Sequence, residues 1–347
     1  MYLISYGTRP ELIKLFPLIN KFKELGIKHK TLFTGQHKDL ILEFENLTHK
    51  PDFTLKNTMT HGQTINQLIS KIVKKSDEII NKLDCEVIVQ GDAASSFAIA
   101  LSGFNNGRKI IHLEAGLRTN DLESPFPEEG YRNMISKISN VHLCPTKISV
   151  ENLINEGVTK NVFLVGNTIV DSCNSIVNQG NTNEFLIDIV NKNKDYFICT
   201  IHRRENIKNF NFLWKQINEI SKSKKIIYVR HPSVPSAKKY LSNQIIQLNP
   251  LNYQDMIYLI NNSNGLISDS GGLQEEAICL NKKILICRNT TERPETVDSG
   301  YGKLIGNNIL GNINFLEKTY KKHIKHNPYG NDVVNKIVSV LNDNIYL

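Results

Sequence analysis

At 347 residues the chain is too long for a typical single core and about right for two domains. Forty per cent apolar and 22% charged residues place it among ordinary globular proteins, and no apolar run approaches the ~18 residues of a membrane span. The net charge of +8 is spread over scattered lysines (Lys14, Lys21, Lys23; Lys71, Lys74, Lys75), without basic blocks or interleaved aromatics. That pattern lacks a nucleic-acid footprint, while the basic balance fits an anionic small substrate as well as RNA and alone decides nothing.

In chain order, short apolar runs alternate with longer amphipathic segments. Residues Met1–Tyr6 lack the basic flank and long apolar stretch of a signal peptide and read as a strand, which implies a cytoplasmic chain. Further strands are predicted at Lys30–Thr34, Val87–Gln90, Lys109–Leu113, Val141–Cys144 and Val162–Val165. Ile65, Leu68, Ile69, Ile72, Val73, Ile79, Ile80 and Leu83 mark one face of a helix. The second half repeats the scheme, with strands at Tyr196–Ile201, Lys225–Val229, Ile245–Leu248, Gly265–Ser268 and Lys283–Ile286. Helices at Asn211–Ser221 and Tyr253–Asn261 lie between them. Such alternation predicts an α/β chain of two Rossmann-like domains with parallel sheets. The polar turn Gly180-Asn181-Thr182-Asn183 follows the expected boundary near Gly166–Gln179. The domains are expected at residues 1–168 and 169–330. A final helix within 331–347 is expected to pack back on the first.

The six cysteines show no Cys-x-x-Cys pair, so neither a zinc site nor a disulfide framework is expected. His112-Leu113-Glu114 superficially matches a zinc-deaminase His-x-Glu, but the downstream Cys-x-x-Cys is missing. Neither Gly-x-Gly-x-x-Gly nor a Walker sequence is present, which argues against NAD and ATP.

Ligands of doubly wound sheets bind beyond the carboxyl ends of the strands, and the chemistry-bearing residues cluster there. Gly7-Thr8-Arg9-Pro10-Glu11 joins the first strand to a helix, whose N-terminus can attract phosphate beside the fixed charge of Arg9. An ordinary strand–helix turn with an exposed arginine would also account for it. Ser268-Asp269-Ser270-Gly271-Gly272-Leu273-Gln274-Glu275-Glu276 is a candidate diphosphate cradle, with Glu276 placed to accept ribose hydroxyls. Helix capping by Asp269 or Ser270 explains its polar residues but leaves the glycine pair unexplained.

Acidic residues recur at Asp92, Glu114 and Glu128, and the i, i+4 spacing of Glu128 and Arg132 allows an exposed salt bridge on one helix face. Convergence of the three carboxylates in one site would instead supply an acid beside a base. His202, at the end of a second-half strand and followed by Arg203 and Arg204, suits an anionic substrate.

These motifs together resemble the non-hydrolysing UDP-N-acetylglucosamine 2-epimerases, from the first strand to the last helix. The resemblance also rests on Thr34-Gly35-Gln36-His37, Val165-Gly166-Asn167-Thr168, Thr291-Glu292-Arg293-Pro294-Glu295 and His326-Asn327-Pro328-Tyr329-Gly330. It implies a GT-B-like architecture with UDP in the interdomain cleft, a homodimer and no cofactor or metal. It implies reversible epimerisation at C2 of UDP-N-acetylglucosamine to UDP-N-acetylmannosamine, by anti elimination of UDP to 2-acetamidoglucal and re-addition. The product would supply a surface polysaccharide. By motif position Asp92, Glu114 and Glu128 become the acid/base candidates, and His202 assists the departing diphosphate. Arg9, Lys14, Arg132, Ser270, Gly271, Gly272 and Glu276 would hold UDP and sugar. Gln36, His37, Gln63, Arg203 and His231 would line an allosteric pocket, although Gly62 and Asp39 stand where other members can carry Arg and Gln.

Other departures are Gln90, where a histidine commonly precedes Gly-Asp, Ala93-Ala94 for threonines, Gly130-Tyr131 before Arg132, and Met256 near the expected uracil pocket. A GT-B glycosyltransferase, a non-catalytic sugar-nucleotide-binding regulator, or an epimerase of a modified UDP-N-acetyl sugar would use a similar framework. The acidic cluster favours epimerisation over transfer. Retention of Asp92 and His202 favours an enzyme over a regulator.

Overall fold

The computed structural model describes residues 1–36, 43–180, 182–317 and 327–342. The chain divides into two compact units. The first comprises residues 1–172 and 329–347, and the second residues 173–328.

The first unit is built on strands β1 (Tyr2–Tyr6), β2 (His29–Phe33), β3 (Phe53–Thr54), β4 (Glu86–Gln90), β5 (Ile110–Leu113), β6 (Val141–Cys144) and β7 (Val162–Leu164). They form one parallel sheet in the order β3-β2-β1-β4-β5-β6-β7. Its central strands read as continuous apolar runs because helices cover both faces: Leu3, Ile4, Val87, Ile88, Val89, Ile110 and Ile111 are all fully buried. Leu68, Ile72 and Ile80 of the helix Ile65–Ile80 pack into the same core as Leu3, Val87 and Ile99. Thr64 and Gln67 close a capping box at that helix's start, satisfying donors that a helix N-terminus leaves free.

The second unit repeats the plan with β8 (Tyr196–Thr200), β9 (Lys225–Val229), β10 (Ile246–Leu248), β11 (Gly265–Ser268), β12 (Ile284–Ile286) and β13 (Gly302–Leu304). Their order is β10-β9-β8-β11-β12-β13, again all parallel. Trp214, Leu213 and Ile217 of the helix Phe210–Ser221 pack on Cys199, Tyr228 and Ile267. Five of the six cysteines are buried and all are free thiols.

The structure thus contains two Rossmann-like α/β sheets. The strands foreseen from sequence are present with ends shifted by at most one residue, and β3 and β13 are additions at sheet edges. The terminal helix Val333–Asn342 belongs to the first unit, where the Tyr2 hydroxyl donates to Leu341 O (3.3 Å) and Val334 N donates to Asp171 Oδ2 (3.3 Å). Among the described residues no helix is long and apolar enough to cross a membrane.

Candidate active site

Strand order reverses between β1 and β4 in the first sheet and between β8 and β11 in the second. Such switch points open a crevice at the carboxyl ends of the strands. Gly7, Asp92 and Glu114 follow β1, β4 and β5 in the first unit, and His202 and Asp269 follow β8 and β11 in the second.

In the first unit, Gly7 follows β1 so closely packed that a Cβ would lie 2.0 Å from Thr34 Oγ1 and 2.8 Å from Ser95 Cβ. Only glycine fits that approach. Glu11, fully buried, fixes the loop: its Oε2 accepts from Gly7 N (3.0 Å), Thr8 N (2.7 Å) and Ser95 Oγ (3.0 Å), and its Oε1 from Ser96 Oγ (2.6 Å). Burial pushes the Glu11 carboxyl up, opposed by these donors. Sequence reasoning gave Glu11 no such role, although Thr8-x-x-Glu11 is a capping-box signal. Arg9 is not solitary, since its Nε pairs with Glu43 Oε1 at 3.0 Å.

Two of the three foreseen carboxylates carry a cation each. Asp92, after β4, accepts from Arg132 Nε (2.7 Å), and Arg132 Nη2 lies 2.7 Å from the same oxygen. Glu114, after β5, pairs with the buried Lys14 through Oε1 and accepts from the Gln90 amide through Oε2. The register Gln90↔Leu113 brings these two loops side by side. Glu114 holds φ of +64°, a left-handed conformation that non-glycine residues seldom adopt and that costs about 1–3 kcal/mol. Glu128 opens the helix Glu128–Ile138, is half-buried, and makes no hydrogen bond or ion pair among the described residues.

The Glu128–Arg132 bridge that the i, i+4 spacing allowed is not formed. Arg132 Nη1 instead donates to Glu129 Oε2 (2.8 Å), one residue on. Glu129 is buried and its Oε1 also accepts from Thr119 N (2.9 Å) and Asn120 N (3.0 Å), which turns it inward. Arg132 and Lys14, expected among the substrate contacts, are thus held by carboxylates of the site itself.

In the second unit the organising residue is Asp269, fully buried after β11. It accepts from His202 N (3.0 Å), Arg203 N (2.9 Å) and Asn206 Nδ2 (2.8 Å), and His202 Nδ1 lies 3.4 Å from it. Asp269 therefore ties the β8 and β11 loops together rather than capping the following helix. That helix, Gly271–Cys279, is capped by Ser270, whose Oγ accepts from Leu273 N (3.5 Å). A Cβ at Gly271 would meet Arg293 Nη1 at 2.8 Å, so the arginine end would have to shift, whereas at Gly272 it would meet only Glu276 Oε1 at 4.0 Å. Glu276 is buried.

His202 stacks on His231, with ring centroids 4.1 Å apart and planes 15° from parallel. Burial lowers the His202 imidazole below its ordinary value, with Asp269 opposing and Arg203 reinforcing. A neutral ring results at neutral pH. Arg203 donates from Nε to Asp269 O (3.0 Å) and lies 3.6 Å from Glu292, which also pairs with Arg288 and Arg293 (both 2.7 Å). Burial alone would raise the Glu292 carboxyl, but the three arginines hold it well below the usual range.

A family model described as UDP-N-acetylglucosamine 2-epimerase matches residues 20–342. The UDP-N-acetylglucosamine 2-epimerase of Campylobacter jejuni is 35% identical, over 98% of this chain and 96% of its own. This chain belongs to the UDP-N-acetylglucosamine 2-epimerase family.

Solved members of that family superpose along the chain. The Neisseria meningitidis epimerase bound to UDP-GlcNAc is 30% identical with a TM-score of 0.88, covering 99% of this chain and all (100%) of that one. The Methanocaldococcus jannaschii epimerase in complex with UDP-GlcNAc and UDP is 33% identical with a TM-score of 0.84, with 99% and 100% covered. The glycosyltransferase SnogD from Streptomyces nogalater, at 10% identity and a TM-score of 0.61, shares the fold alone.

Of the regulatory candidates in this family member, His37 lies outside the described residues, as do Asp39 and His326. Gln36 Oε1 is buried without a hydrogen-bond partner among the described residues. Gln63 lines an open hollow of about 540 Å³ with Thr60, Gly62 and Lys71, and its Oε1 already accepts from Thr60 Oγ1 (2.8 Å) and Lys71 Nζ (3.0 Å). Arg203 and His231 belong to the Asp269 network of the second unit.

Behind the first unit's carboxylates lie two buried histidines that sequence reasoning gave no role. His112 Nε2 donates to Gly91 O (2.8 Å) and so holds the loop that carries Asp92. Burial pushes His112 down to about 3, against the Gly91 bond, and pushes His142 down to about 4, with Arg118 assisting. Both rings are neutral in the fold, while the unfolded chain protonates near the ordinary value of about 6.5. The stabilisation from keeping them neutral is therefore complete above that value and lost as pH falls through it toward 4. Each group contributes a slope of about 1.4 kcal/mol per pH unit there. Urea titrations between pH 7 and 4.5 should show His112→Gln less stable at pH 7 but shallower in its acid loss by nearly one proton. Parallel slopes in the two proteins would discount His112.

Proposed function

We propose that this protein interconverts UDP-N-acetylglucosamine and UDP-N-acetylmannosamine by proton transfer at C2, without hydrolysing the nucleotide sugar. The observation that supports the reading is the pair Asp92 and Glu114 after the neighbouring strands β4 and β5, with Glu128 opening the helix whose Arg132 holds Asp92. Asp92 and Glu114 are each held by a cation, and Glu128 stands without a partner among the described residues. Inversion at a carbon needs a proton acceptor on one face and a donor on the other. A paired carboxylate suits the first task and an unpaired one, free to take a proton, suits the second.

In this reading a carboxylate removes the C2 proton as the C1–O bond to UDP breaks. The C–H electron pair becomes the C1=C2 double bond of 2-acetamidoglucal, and the C1–O pair leaves with the diphosphate. UDP then adds back to C1 while a proton reaches the opposite face of C2. His202, neutral and anchored by Asp269, assists the diphosphate. Arg9, Ser270, Gly271 and Gly272 hold it through a fixed charge and main-chain donors. Glu276 accepts the ribose hydroxyls. Lys14 and Arg132 serve chiefly to position Glu114 and Asp92 through their ion pairs. The same reading makes the protein a cytoplasmic homodimer supplying a surface polysaccharide, and light scattering reads the dimer directly.

Purified protein incubated with UDP-N-acetylglucosamine in deuterated water, without added metal, nicotinamide or acceptor, should yield both epimers with deuterium at C2. Epimerisation without solvent deuterium defeats the proton-transfer mechanism. Consumption only after an acceptor is added would instead make the protein a transferase.

A further inference from the structure

Gln90 is the last residue of β4 and is buried. Its side-chain amide donates to Glu114 Oε2, opposite the oxygen paired with Lys14. Its backbone is fixed separately, since Gln90 O accepts from Ser96 Oγ (2.6 Å), which also donates to Glu11 Oε1 (2.6 Å). The side chain can therefore be exchanged while the loop keeps its anchor. Glu114 itself is held in the left-handed region, and contacts on both of its oxygens orient its side chain.

One of those contacts is the cation on the helix Arg9–Glu24. The other is a neutral amide with no proton to lose or gain in the physiological range. An amide N–H bonded to a carboxylate favours its charged form and fixes its orientation, and it does so equally at all pH values near neutrality. The neighbouring cation–carboxylate pair is Arg132 with Asp92, and the nearby His112 turns its Nε2 to Gly91 O.

We propose that Gln90 is a positioning residue for the epimerisation: its amide aims Glu114 and keeps it in the proton-accepting form across the neutral range. The proposal rests on the epimerase reading. Wild-type deuterium incorporation at C2 tests that reading first, so a failure there is separable from a failure of the Gln90 role.

Two variants then decide it. Gln90→Met keeps length and volume and removes the donor; Gln90→His returns a donor that titrates. Loss of one hydrogen bond to a charged group predicts a kcat about 10–100-fold lower for Gln90→Met. KM should change by less than about threefold, and the acid limb of the kcat profile should move to higher pH by about one unit. Gln90→His should recover most of kcat at alkaline pH and show an added limb near the ordinary imidazole value of about 6.5. An unchanged kcat and pH profile in Gln90→Met overturns the proposal. So does an equal loss in both variants with neither acid limb displaced, since that is what a purely structural role gives. Should Gln90→Met lose its cooperative melt, the histidine variant decides alone, and a wild-type pH profile for it overturns the proposal.

Discussion

Asp269→Ala is expected to destabilise the second domain by about 3–5 kcal/mol and to lower turnover by at least ~10²-fold. The carboxylate is fully buried and accepts from the main-chain nitrogens of His202 and Arg203 and from the Asn206 amide. Alanine leaves all three donors in the interior without that acceptor, and each such group costs about 1–3 kcal/mol. It also releases the loop that aims His202, because the His202 and Arg203 main-chain nitrogens and the Asn206 amide all donate to this side chain. For a domain of this size the destabilisation corresponds to a melting transition lower by roughly 6–15 °C. Asp269→Asn keeps one acceptor oxygen and should fall between the two. A melting point for Asp269→Ala within about 2 °C of wild type would mean that the network is not what holds His202.

The importance of Asp269 was only partly legible in the chain. Its position after an apolar strand, before Ser-Gly-Gly, suggested helix capping, the short-range role for an Asp there. Its actual donors are more than sixty residues away in sequence, on the loop after a non-consecutive strand. Glu11 is a similar case: the Thr8-x-x-Glu11 spacing is local and readable, but Ser96, its Oε1 donor at 2.6 Å, reaches it only through the β1–β4 pairing.

Arg132 illustrates a different limit. Spacings of three and four residues both face one another on a helix, so the sequence allows Glu128 or Glu129 as its partner. The choice falls to Glu129 because the Thr119 and Asn120 amides draw that side chain inward. That outcome leaves Glu128 unpaired. The strands were more legible, because strands buried on both faces read as continuous apolar runs. β3 and β13 escaped notice because they are edge strands of two and three residues, with Thr54 and Lys303 interrupting any apolar pattern.

Glu128→Gln and Glu114→Gln should each lower turnover by at least ~10²-fold, the usual scale of acid–base contributions, yet differ in stability. Glu128 has no hydrogen bond or ion pair among the described residues, so its amide variant should melt within about 2 °C of wild type. Glu114 instead balances Lys14, whose side chain is only 7% exposed. Glutamine there removes the counter-charge from a buried ammonium, a change that costs about 3–5 kcal/mol when a buried pair is broken. Asp92→Asn should be milder in stability, because Arg132 retains Glu129. If the turnover losses come from acid–base chemistry rather than unfolding, the Glu128 variant will be fully folded and nearly inactive. It should still bind UDP, since Arg9, Ser270, Gly271 and Gly272, the residues proposed to hold the diphosphate, are untouched in it. Turnover close to wild type in both Glu114→Gln and Glu128→Gln would move the proton transfers to other residues, whatever the melting points show.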